Sequence, residues 1–241
     1  MGSMAIDTVV ILCGGRGTRL QEHTGSIPKP LIEIGGRPIL WHVMQIYIAQ
    51  GLGRFVLCTG YLGEQVERFA ADTDWPPDVS VTCVDTGAET PTGGRIARVR
   101  DHVGPGTIAV TYADGVADVD LSALAASHRR HGRLATITVV RPELQFGVTE
   151  LDGSDRVTAF HEKPRSEHWI NGGFFCFEHG VFEYLSDSSV LERAPLEGLA
   201  DDDQLRAFRH TGFWRCMDTY KDAVALNDLW ESRRAPWKVW A

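Results

Sequence analysis

The chain has 241 residues, 43% of them hydrophobic, and a formal net charge of −8 at pH 7. A chain of this length can bury a complete core, and its acidity excludes the basic surface typical of nucleic-acid-binding proteins. It contains no run of about 18 apolar residues and no export signal, which predicts a cytoplasmic protein without a membrane partner. Residues 1–3 resemble an expression scar, so we expect one domain over 4–241. The five scattered cysteines predict free, mostly buried thiols.

The first predicted elements alternate between strands and helices. Thr8–Leu12 is a short apolar run rich in β-branched residues, which predicts a buried strand. The elements predicted next are a helix over 38–50, a strand over 54–59, a helix over 64–71 and a strand over 79–84. This βαβαβ order predicts a mostly parallel sheet with right-handed crossovers.

The second half of the chain has a different character. Thr107–Tyr112 predicts a further buried strand, and Asp152-Gly153 predicts a hairpin turn. The remaining predicted elements are a helix over 121–131 capped by Asp118 or Asp120, strands over 134–140, 147–151, 156–161, 170–177 and 205–210, and a closing helix over 220–233. An α/β nucleotide half is therefore expected to share one core with a more antiparallel half.

A glycine-rich segment with positive charges follows the first strand, where residues 12–31 read LCGGRGTRLQEHTGSIPKPL. Its first three glycines can take positive φ and expose backbone N–H groups to an anion: Gly14, Gly15 and Gly17. Arg16 and Arg19 add planar forks that match phosphate oxygens, and two prolines are expected to stiffen the chain on both sides of Lys29. Dinucleotide and Walker fingerprints are both incomplete here. The pattern therefore indicates a triphosphate site.

Three charged residues outside this loop are further candidates. Asp114 follows the strand 107–112 between two small residues, where it can ligate Mg²⁺ beside phosphate oxygens or cap a loop. Asp218 precedes the closing helix, and its spacing alone favours an N-cap. Lys163 precedes Pro164, so it is expected in an extended conformation from which it can reach a second anion, although an isolated Glu-Lys pair is more often a solvated surface charge.

Together these motifs resemble the sugar-1-phosphate nucleotidylyltransferases, and most closely the glucose-1-phosphate cytidylyltransferase subgroup. The residues that carry the resemblance are Gly14 to Leu20, Pro28-Lys29-Pro30, Glu33 to Gly36, Asp85 to Gly87, Thr92 to Arg95, Asp114 to Asp118, Glu162-Lys163-Pro164, Asn171 to Phe174, Met217-Asp218-Thr219 and Ala235 to Lys238. The resemblance implies a Rossmann-like α/β nucleotide-diphospho-sugar transferase fold, with a mostly parallel mixed sheet flanked by helices and a small antiparallel acceptor subregion. It also implies Mg²⁺, a homo-oligomer, and conversion of CTP and glucose 1-phosphate to CDP-glucose and pyrophosphate.

The resemblance also implies a role for each matching residue. The nucleotide-binding set is Leu12, Gly14, Gly15, Arg16, Gly17, Thr18, Arg19, Lys29, Thr92, Gly93 and Asp114. The sugar-phosphate-binding set is Gly147, Glu162, Lys163, Asn171 and Gly172. Asp114 and Asp218 would hold Mg²⁺, which reverses the preference for a cap at Asp218. The catalytic set would be Arg19, Lys29, Lys163 and Asp114.

Three departures from the subgroup leave alternatives open. The segment 72–78 is shorter than the insert that contributes to subunit contacts in the subgroup, and Ala113 and His161 replace residues common there. A thymidylyl- or uridylyltransferase acting on a modified hexose or cyclitol 1-phosphate is one alternative. A non-catalytic nucleotide-binding subunit is another.

Overall fold

The computed structural model describes residues 6–17 and 26–240. The strands in these residues are β1 (Ile6–Leu12), β2 (Glu33–Ile34), β3 (Arg37–Pro38), β4 (Arg54–Thr59), β5 (Ser80–Asp85), β6 (Thr107–Tyr112), β7 (Gly115–Ala117), β8 (Ala135–Val140), β9 (Val148–Leu151), β10 (Val157–His161), β11 (Ile170–Phe177), β12 (Leu205–Arg209) and β13 (Trp214–Cys216). The α-helices in the same residues are α1 (Ile39–Ile48), α2 (Gly63–Asp72), α3 (Thr92–Arg98), α4 (Leu121–His131), α5 (Ala194–Asp201) and α6 (Tyr220–Glu231). None of these helices is long and apolar enough to cross a membrane.

Seven strands form a central sheet in the order β12-β8-β11-β6-β1-β4-β5. β1 pairs in parallel with β4 and β6, and β4 pairs in parallel with β5. On the other side, β11 runs antiparallel to both β6 and β8, while β12 is parallel to β8. The predicted βαβαβ opening and the mostly parallel sheet are confirmed.

Helices cover both faces of this sheet. Along β1, Val9 and Ile11 pack into a core shared with α1, α2, α4 and α6, whereas Val10 packs on the opposite face with α3 and α5. All three of these side chains are fully buried. Burial on both faces explains why the strand is a continuous apolar run, without the alternation of a half-exposed strand.

Several boundaries and short elements differ from the sequence prediction. Helix α1 lies within the predicted 38–50, and α6 ends at Glu231, before the predicted residue 233. Helices α3 and α5 and the strands β7 and β13 were not predicted. Glycines disfavour a helix at α3, but a side chain at Gly94 would lie only 2.2 Å from the carbonyl oxygen of Asp187. Close packing against that segment therefore selects glycine and overrides its low helix propensity.

Small antiparallel ribbons complete the fold. β9 and β10 form the predicted hairpin, in which Asp152 accepts hydrogen bonds from the N–H groups of Ser154 and Arg156. β7 pairs with β13 so that Gly115 lies opposite Cys216. Asp120 is the N-cap of helix α4, and its carboxylate accepts from the N–H of Ala123 at 2.8 Å. Of the two predicted caps, Asp118 and Asp120, the structure therefore selects Asp120.

The cysteines are free thiols, as predicted. Cys13, Cys58 and Cys176 are buried, whereas Cys83 and Cys216 are partly buried. Burial raises the pKa of the Cys58 thiol to about 12. Thiols held neutral in this way act as small apolar core residues.

Candidate functional site

The candidate site lies at the edge of the sheet where four parallel strands end. Leu12, the last residue of β1, is in register with Cys58 of β4 and with Tyr112 of β6. The glycine-rich loop, the turn after β4, the loop after β5 and Asp114 therefore lie along one edge. Ligands of open α/β sheets bind at this carboxyl edge.

Close packing, more than unusual backbone angles, accounts for the glycine at position 14. Of the first three loop glycines only Gly17 has positive φ, at 60°, so the expectation of positive φ at Gly14 and Gly15 was wrong. A Cβ at Gly14 would lie 2.0 Å from Nη1 of Arg95, whereas a Cβ at Gly15 would meet nothing within 4 Å. Gly14 is needed because a buried guanidinium passes directly over it.

That guanidinium, Arg95, ties three loops of the site together. It donates hydrogen bonds to the carbonyl oxygens of Gly14 and Thr59, both at 2.9 Å, and to Oγ1 of Thr86 at 2.7 Å. Gly14 and Thr86 follow β1 and β5, and Thr59 is the last residue of β4. Burial lowers the pKa of Arg95, but an arginine stays charged at neutral pH. Arg95 was named from the sequence only as part of the motif Thr92 to Arg95. Its role as a link between loops was not predicted, because most of its hydrogen-bond partners are distant in the sequence.

Substituting alanine for glycine tests this arrangement. We expect Gly14→Ala to reduce the free energy of unfolding by about 1 to 3 kcal/mol, because the added methyl group displaces Arg95 from its carbonyl partners. Gly15→Ala is the matched control, since its methyl group would enter open space. Urea unfolding of the two variants measures the difference, and equal midpoints would show that Arg95 does not constrain Gly14.

Arg16, in the described part of the glycine-rich loop, forms an ion pair with an acidic residue. Arg16 donates through Nε to Glu89 at 2.9 Å and lies over the ring of Tyr61, with Cζ 5.1 Å from the centroid. Both partners of the ion pair are largely exposed, so the pair is weak and can exchange for a phosphate. Thr18 and Arg19 lie outside the described residues.

Lys29 bridges the two candidate metal carboxylates. Its Nζ donates to Asp114 and, at 2.8 Å, to Oδ1 of Asp218. The ribbon of β7 and β13 causes this convergence, because Asp114 directly precedes β7 and Asp218 follows β13 at the same end of the antiparallel pair. Burial lowers the pKa of Lys29, but the two carboxylates outweigh that effect and hold the pKa above its usual value.

The backbone at Lys29 turns between the two prolines that flank it. Lys29–Leu31 forms a single turn of 3₁₀ helix, and only Pro28 is extended. Pro30 is buried and accommodates the turn because the second position of a short helix needs no donor. A Cβ at Gly17 would lie 2.9 Å from Cβ of Lys29, so the lysine stem packs against the glycine loop.

Asp218 does not cap the closing helix. Thr219 is the N-cap of α6, with its hydroxyl accepting from the N–H of Asp222 in a reciprocal capping box. The cap predicted at Asp218 from spacing alone was therefore wrong by one residue. The carboxylate of Asp218 accepts from Lys29 instead.

Lys163 lies in a cavity of about 790 Å³ on the antiparallel side of the site. Asp218 also lines this cavity, together with Trp169, Trp214 and the basic side chains of Arg141, Arg165 and Lys221. Lys163 has φ of 48°, so the extended conformation predicted from the following proline was wrong. The residue is placed by the turn that follows β10, which overrides the pre-proline preference. Its ammonium lies 3.4 Å from Glu162, and both side chains are at least half exposed.

The remaining acceptor candidates meet in two small groups. A Cβ at Gly147 would lie 3.0 Å from Oε2 of Glu162, so these two residues are neighbours. Gly172 accepts a hydrogen bond from Nε1 of Trp214 at 2.8 Å, and Asn171 donates through Nδ2 to the hydroxyl of Tyr112 at 3.0 Å. The ladder between β11 and β8 is irregular between Asn171 and Phe175, and backbone groups in this stretch pair with side chains instead: the N–H of Gly173 donates to Oδ1 of Asn171.

A chain of hydrogen bonds connects Asn171 with Thr92. The Tyr112 hydroxyl accepts from Asn171 and donates to Glu192, and the other carboxylate oxygen of Glu192 accepts from Oγ1 of Thr92 at 2.7 Å. Thr92 and Gly93 form the first turn of α3, a helix that was not predicted from the sequence. Burial and the adjacent Glu192 carboxylate raise the pKa of Tyr112, which keeps its hydroxyl protonated. Glu192 was not among the residues predicted from the sequence, because no local motif marks it.

The structure therefore gathers the sequence candidates into three groups. Lys29, Asp114 and Asp218 are in direct contact. Thr92 and Asn171 are linked through Tyr112 and Glu192. Lys163 and Asp218 line one cavity. Since Asp218 belongs to the first and third groups, the lysine–carboxylate cluster borders the acceptor cavity.

Comparison with known proteins agrees with this architecture. A nucleotidyl transferase family model matches residues 8–215. A probable glucose-1-phosphate cytidylyltransferase of Bacillus subtilis is 40% identical over 252 residues, covering 96% of this chain and 99% of the relative. The glucose-1-phosphate cytidylyltransferase of Salmonella typhi is 40% identical over 258 residues, covering 96% and 98%.

A solved structure confirms the predicted fold class. The UDP-glucose pyrophosphorylase of Acinetobacter baumanii matches with a TM-score of 0.74 at 18% identity, over 95% of this chain and 96% of that one. The matched family model, the near full-length relatives and the shared fold lead to one assignment. The chain belongs to the nucleotidyl transferase family, among its sugar-1-phosphate nucleotidylyltransferases.

Proposed function

We propose that the protein transfers a cytidylyl group from CTP to glucose 1-phosphate, releasing pyrophosphate and forming CDP-glucose. The observation that carries the proposal is the contact of Lys29 with Asp114 and Asp218 at the carboxyl edge of the sheet, beside the glycine-rich loop. The choice of CTP and glucose 1-phosphate is supported by the names of the two relatives at 40% identity.

The glycine-rich loop and its arginines form the proposed triphosphate site. Backbone N–H groups at Gly14, Gly15 and Gly17 would face the phosphates, with Leu12 at the base of the loop. Arg16, Thr18 and Arg19 would add side-chain donors, Arg16 by leaving the exposed pair with Glu89. Thr92 and Gly93 would face the base from the first turn of α3.

Asp114 and Asp218 fit a magnesium ion. Their carboxylates already converge on one cation, the Lys29 ammonium, and carboxylate oxygens are the ligands that Mg²⁺ prefers. No group of three or more His, Cys, Asp or Glu side chains in 6–17 and 26–240 could hold a metal, so the other ligands would be water and phosphate oxygens. When bound, Mg²⁺ would neutralise phosphate charge and align the α-phosphate with the attacking oxygen.

The reaction needs positioning and charge neutralisation more than covalent catalysis. A phosphate oxygen of glucose 1-phosphate attacks the α-phosphorus of CTP in line, and the bond to the bridging oxygen breaks as pyrophosphate leaves. Lys29 would donate to the α-phosphate oxygens, where negative charge must be stabilised in the transition state. No proton transfer to a protein base is required, because the nucleophile is already an anion.

The acceptor would bind on the antiparallel side. Lys163 would neutralise the phosphate of the sugar, and the cavity it lines is large enough for a hexose phosphate. Glu162, Gly147, Asn171 and Gly172 would provide hydrogen-bond partners for the hexose hydroxyls. In this proposal Lys29 would serve the nucleotide and Lys163 the acceptor, with the two carboxylates between them.

A matrix of nucleoside triphosphates and sugar 1-phosphates tests the substrate assignment through pyrophosphate release. We expect CTP with glucose 1-phosphate to give the highest kcat/KM. Preference for dTTP or UTP would instead support a thymidylyl- or uridylyltransferase. Calorimetric binding of CTP with no turnover on any acceptor would support a non-catalytic nucleotide-binding subunit.

We further infer that the enzyme works as a cytoplasmic homo-oligomer. The hairpin of β9 and β10 supports this inference, because a two-stranded ribbon is marginally stable alone. The hairpin also exposes large apolar side chains: Leu151 is 58% exposed, Val157 57% and Phe160 62%. Several exposed large apolar side chains on one ribbon are typical of a surface covered by another protein.

A further inference from the structure

We propose that Lys29 and the metal exchange places, so that Lys29 neutralises the two carboxylates before the metal arrives and turns to the nucleotide phosphate afterwards. The proposal rests on the proposed function, since it takes Asp114 and Asp218 as the metal ligands. It adds the order in which Lys29 and the metal occupy the two carboxylates. It also predicts that Lys29 lowers the metal affinity of the nucleotide-free protein.

The same oxygens serve both cations. Lys29 donates to one carboxylate oxygen of Asp114 and to Oδ1 of Asp218, so the ammonium occupies the space on which both carboxylates converge. Only 13% of the Lys29 side chain is exposed, against 25% for Asp114 and 28% for Asp218. The carboxylates therefore face solvent and ligand on one side and the lysine on the other.

A divalent ion cannot simply join this arrangement. Mg²⁺ binds oxygen at about 2.0 to 2.1 Å, so an ion shared by the two carboxylates would lie close to the present ammonium. Two cations at that separation in a partly buried site repel each other strongly. Metal binding must therefore release Lys29 from one or both carboxylates.

The chain around Lys29 allows this release without a backbone change. Lys29 lies in a 3₁₀ turn with a buried proline after it, which fixes the backbone, while the four-carbon stem can still rotate. The stem packs against Gly17, 2.9 Å from the position of a Cβ there. A rotated Lys29 can therefore reach toward the glycine-rich loop, where the triphosphate would bind.

Exchange of this kind couples metal binding to nucleotide binding. Without nucleotide, a metal must displace Lys29 from the carboxylates, and the freed ammonium has no phosphate to contact. The affinity of the carboxylates for the metal is therefore lowered. With nucleotide, phosphate oxygens replace the carboxylates as partners of Lys29, and the metal binds more tightly. Linkage makes the effect reciprocal, so metal binding favours the contact between Lys29 and the phosphate.

Binding of Mn²⁺ to the nucleotide-free protein tests the exchange. Lys29→Met keeps the length of the side chain but removes its charge, and we expect it to bind Mn²⁺ at least about tenfold more tightly than the unmodified protein. Lys29→Arg keeps the charge and is expected to bind weakly, like the unmodified protein. Lys238→Met is the matched control, because Lys238 is an exposed lysine near the end of the chain, outside the proposed site. Electron paramagnetic resonance of free Mn²⁺ gives each affinity.

A double variant identifies the binding site. Adding Asp114→Asn to Lys29→Met should abolish the gain in Mn²⁺ affinity, because one of the two carboxylates is lost. Equal or weaker Mn²⁺ binding by Lys29→Met than by the unmodified protein would overturn the exchange. A gain that survives Asp114→Asn would also overturn it, because the metal would then lie elsewhere.

A second measurement uses the unmodified protein and does not depend on the folding of a variant. The chain has four lysines, so selective labelling of the lysine ε-carbon gives few resonances in an NMR spectrum. Mg²⁺ with CTP should shift the Lys29 resonance, while an unchanged Lys29 signal at saturating metal and CTP would contradict the proposal. The Mn²⁺ titrations need neither CTP nor turnover, so an incorrect substrate assignment would leave their result unchanged.

Discussion

A Lys29→Ala variant is expected to turn over at least about 100-fold more slowly than the unmodified enzyme, with the loss mainly in kcat. The reason is that the ammonium would contact the α-phosphate most strongly when the phosphorus is being attacked, so its removal raises the transition-state barrier more than it weakens substrate binding. Steady-state pyrophosphate release at saturating CTP, glucose 1-phosphate and Mg²⁺ measures the effect.

The control for this variant is Lys238→Ala, which removes an exposed lysine near the end of the chain. We expect Lys238→Ala to retain its activity, and unfolding midpoints should show that both variants are folded. The slow Lys29→Ala variant should also bind Mn²⁺ more tightly, a combination that general misfolding cannot produce. Near-normal turnover by Lys29→Ala would remove Lys29 from the chemistry.

Asp114→Asn is the second substitution with a large expected effect. Asparagine keeps the size of the side chain and one oxygen but loses the charge that attracts Mg²⁺, so we expect at least about a 100-fold loss in kcat/KM. Lys29 retains Asp218 as a partner, so the fold should survive. Rates measured across a range of Mg²⁺ concentrations should show partial recovery at high metal.

The matched control is Asp101→Asn, an exposed aspartate in the short 3₁₀ helix before β6. Its activity and magnesium dependence should equal those of the unmodified enzyme. If Asp114→Asn kept a full rate at ordinary Mg²⁺ concentrations, Asp114 would not be a metal ligand.

The sequence predicted the nucleotide half of the fold because its strands are buried on both faces. β1, β4 and β6 are continuous apolar runs, and such runs need no knowledge of their neighbours to be recognised. Since parallel strands end at one edge, the positions of the glycine loop and Asp114 followed from the same pattern.

The proximity of Asp114 and Asp218 was harder to predict because it depends on two strands of three residues each. β7 and β13 are too short to carry a hydrophobic period, yet their pairing is what brings Asp218 to Lys29 and Asp114. Spacing alone favoured a cap at Asp218, and only the family resemblance pointed to the metal role. The pairing of β7 with β13, and not the local sequence, sets the position of Asp218.

Other differences have the same origin. Gly93 and Gly94 disfavour a helix, but packing against residues 187–191 holds them in α3. Lys163 precedes a proline yet has positive φ, because the surrounding turn sets its backbone. The partners of Arg95 and Glu192 are distant in sequence, so no local motif could reveal their contacts.

We propose that one site transfers the cytidylyl group of CTP to a sugar phosphate, using Lys29, Lys163 and a metal held by Asp114 and Asp218. Phosphorus NMR of the unmodified enzyme with CTP, glucose 1-phosphate and Mg²⁺ tests this proposal. We expect CDP-glucose and pyrophosphate to appear in equal amounts, and neither to form when Mg²⁺ is chelated. Formation of CMP and pyrophosphate without a sugar nucleotide, or no reaction at all, would contradict it.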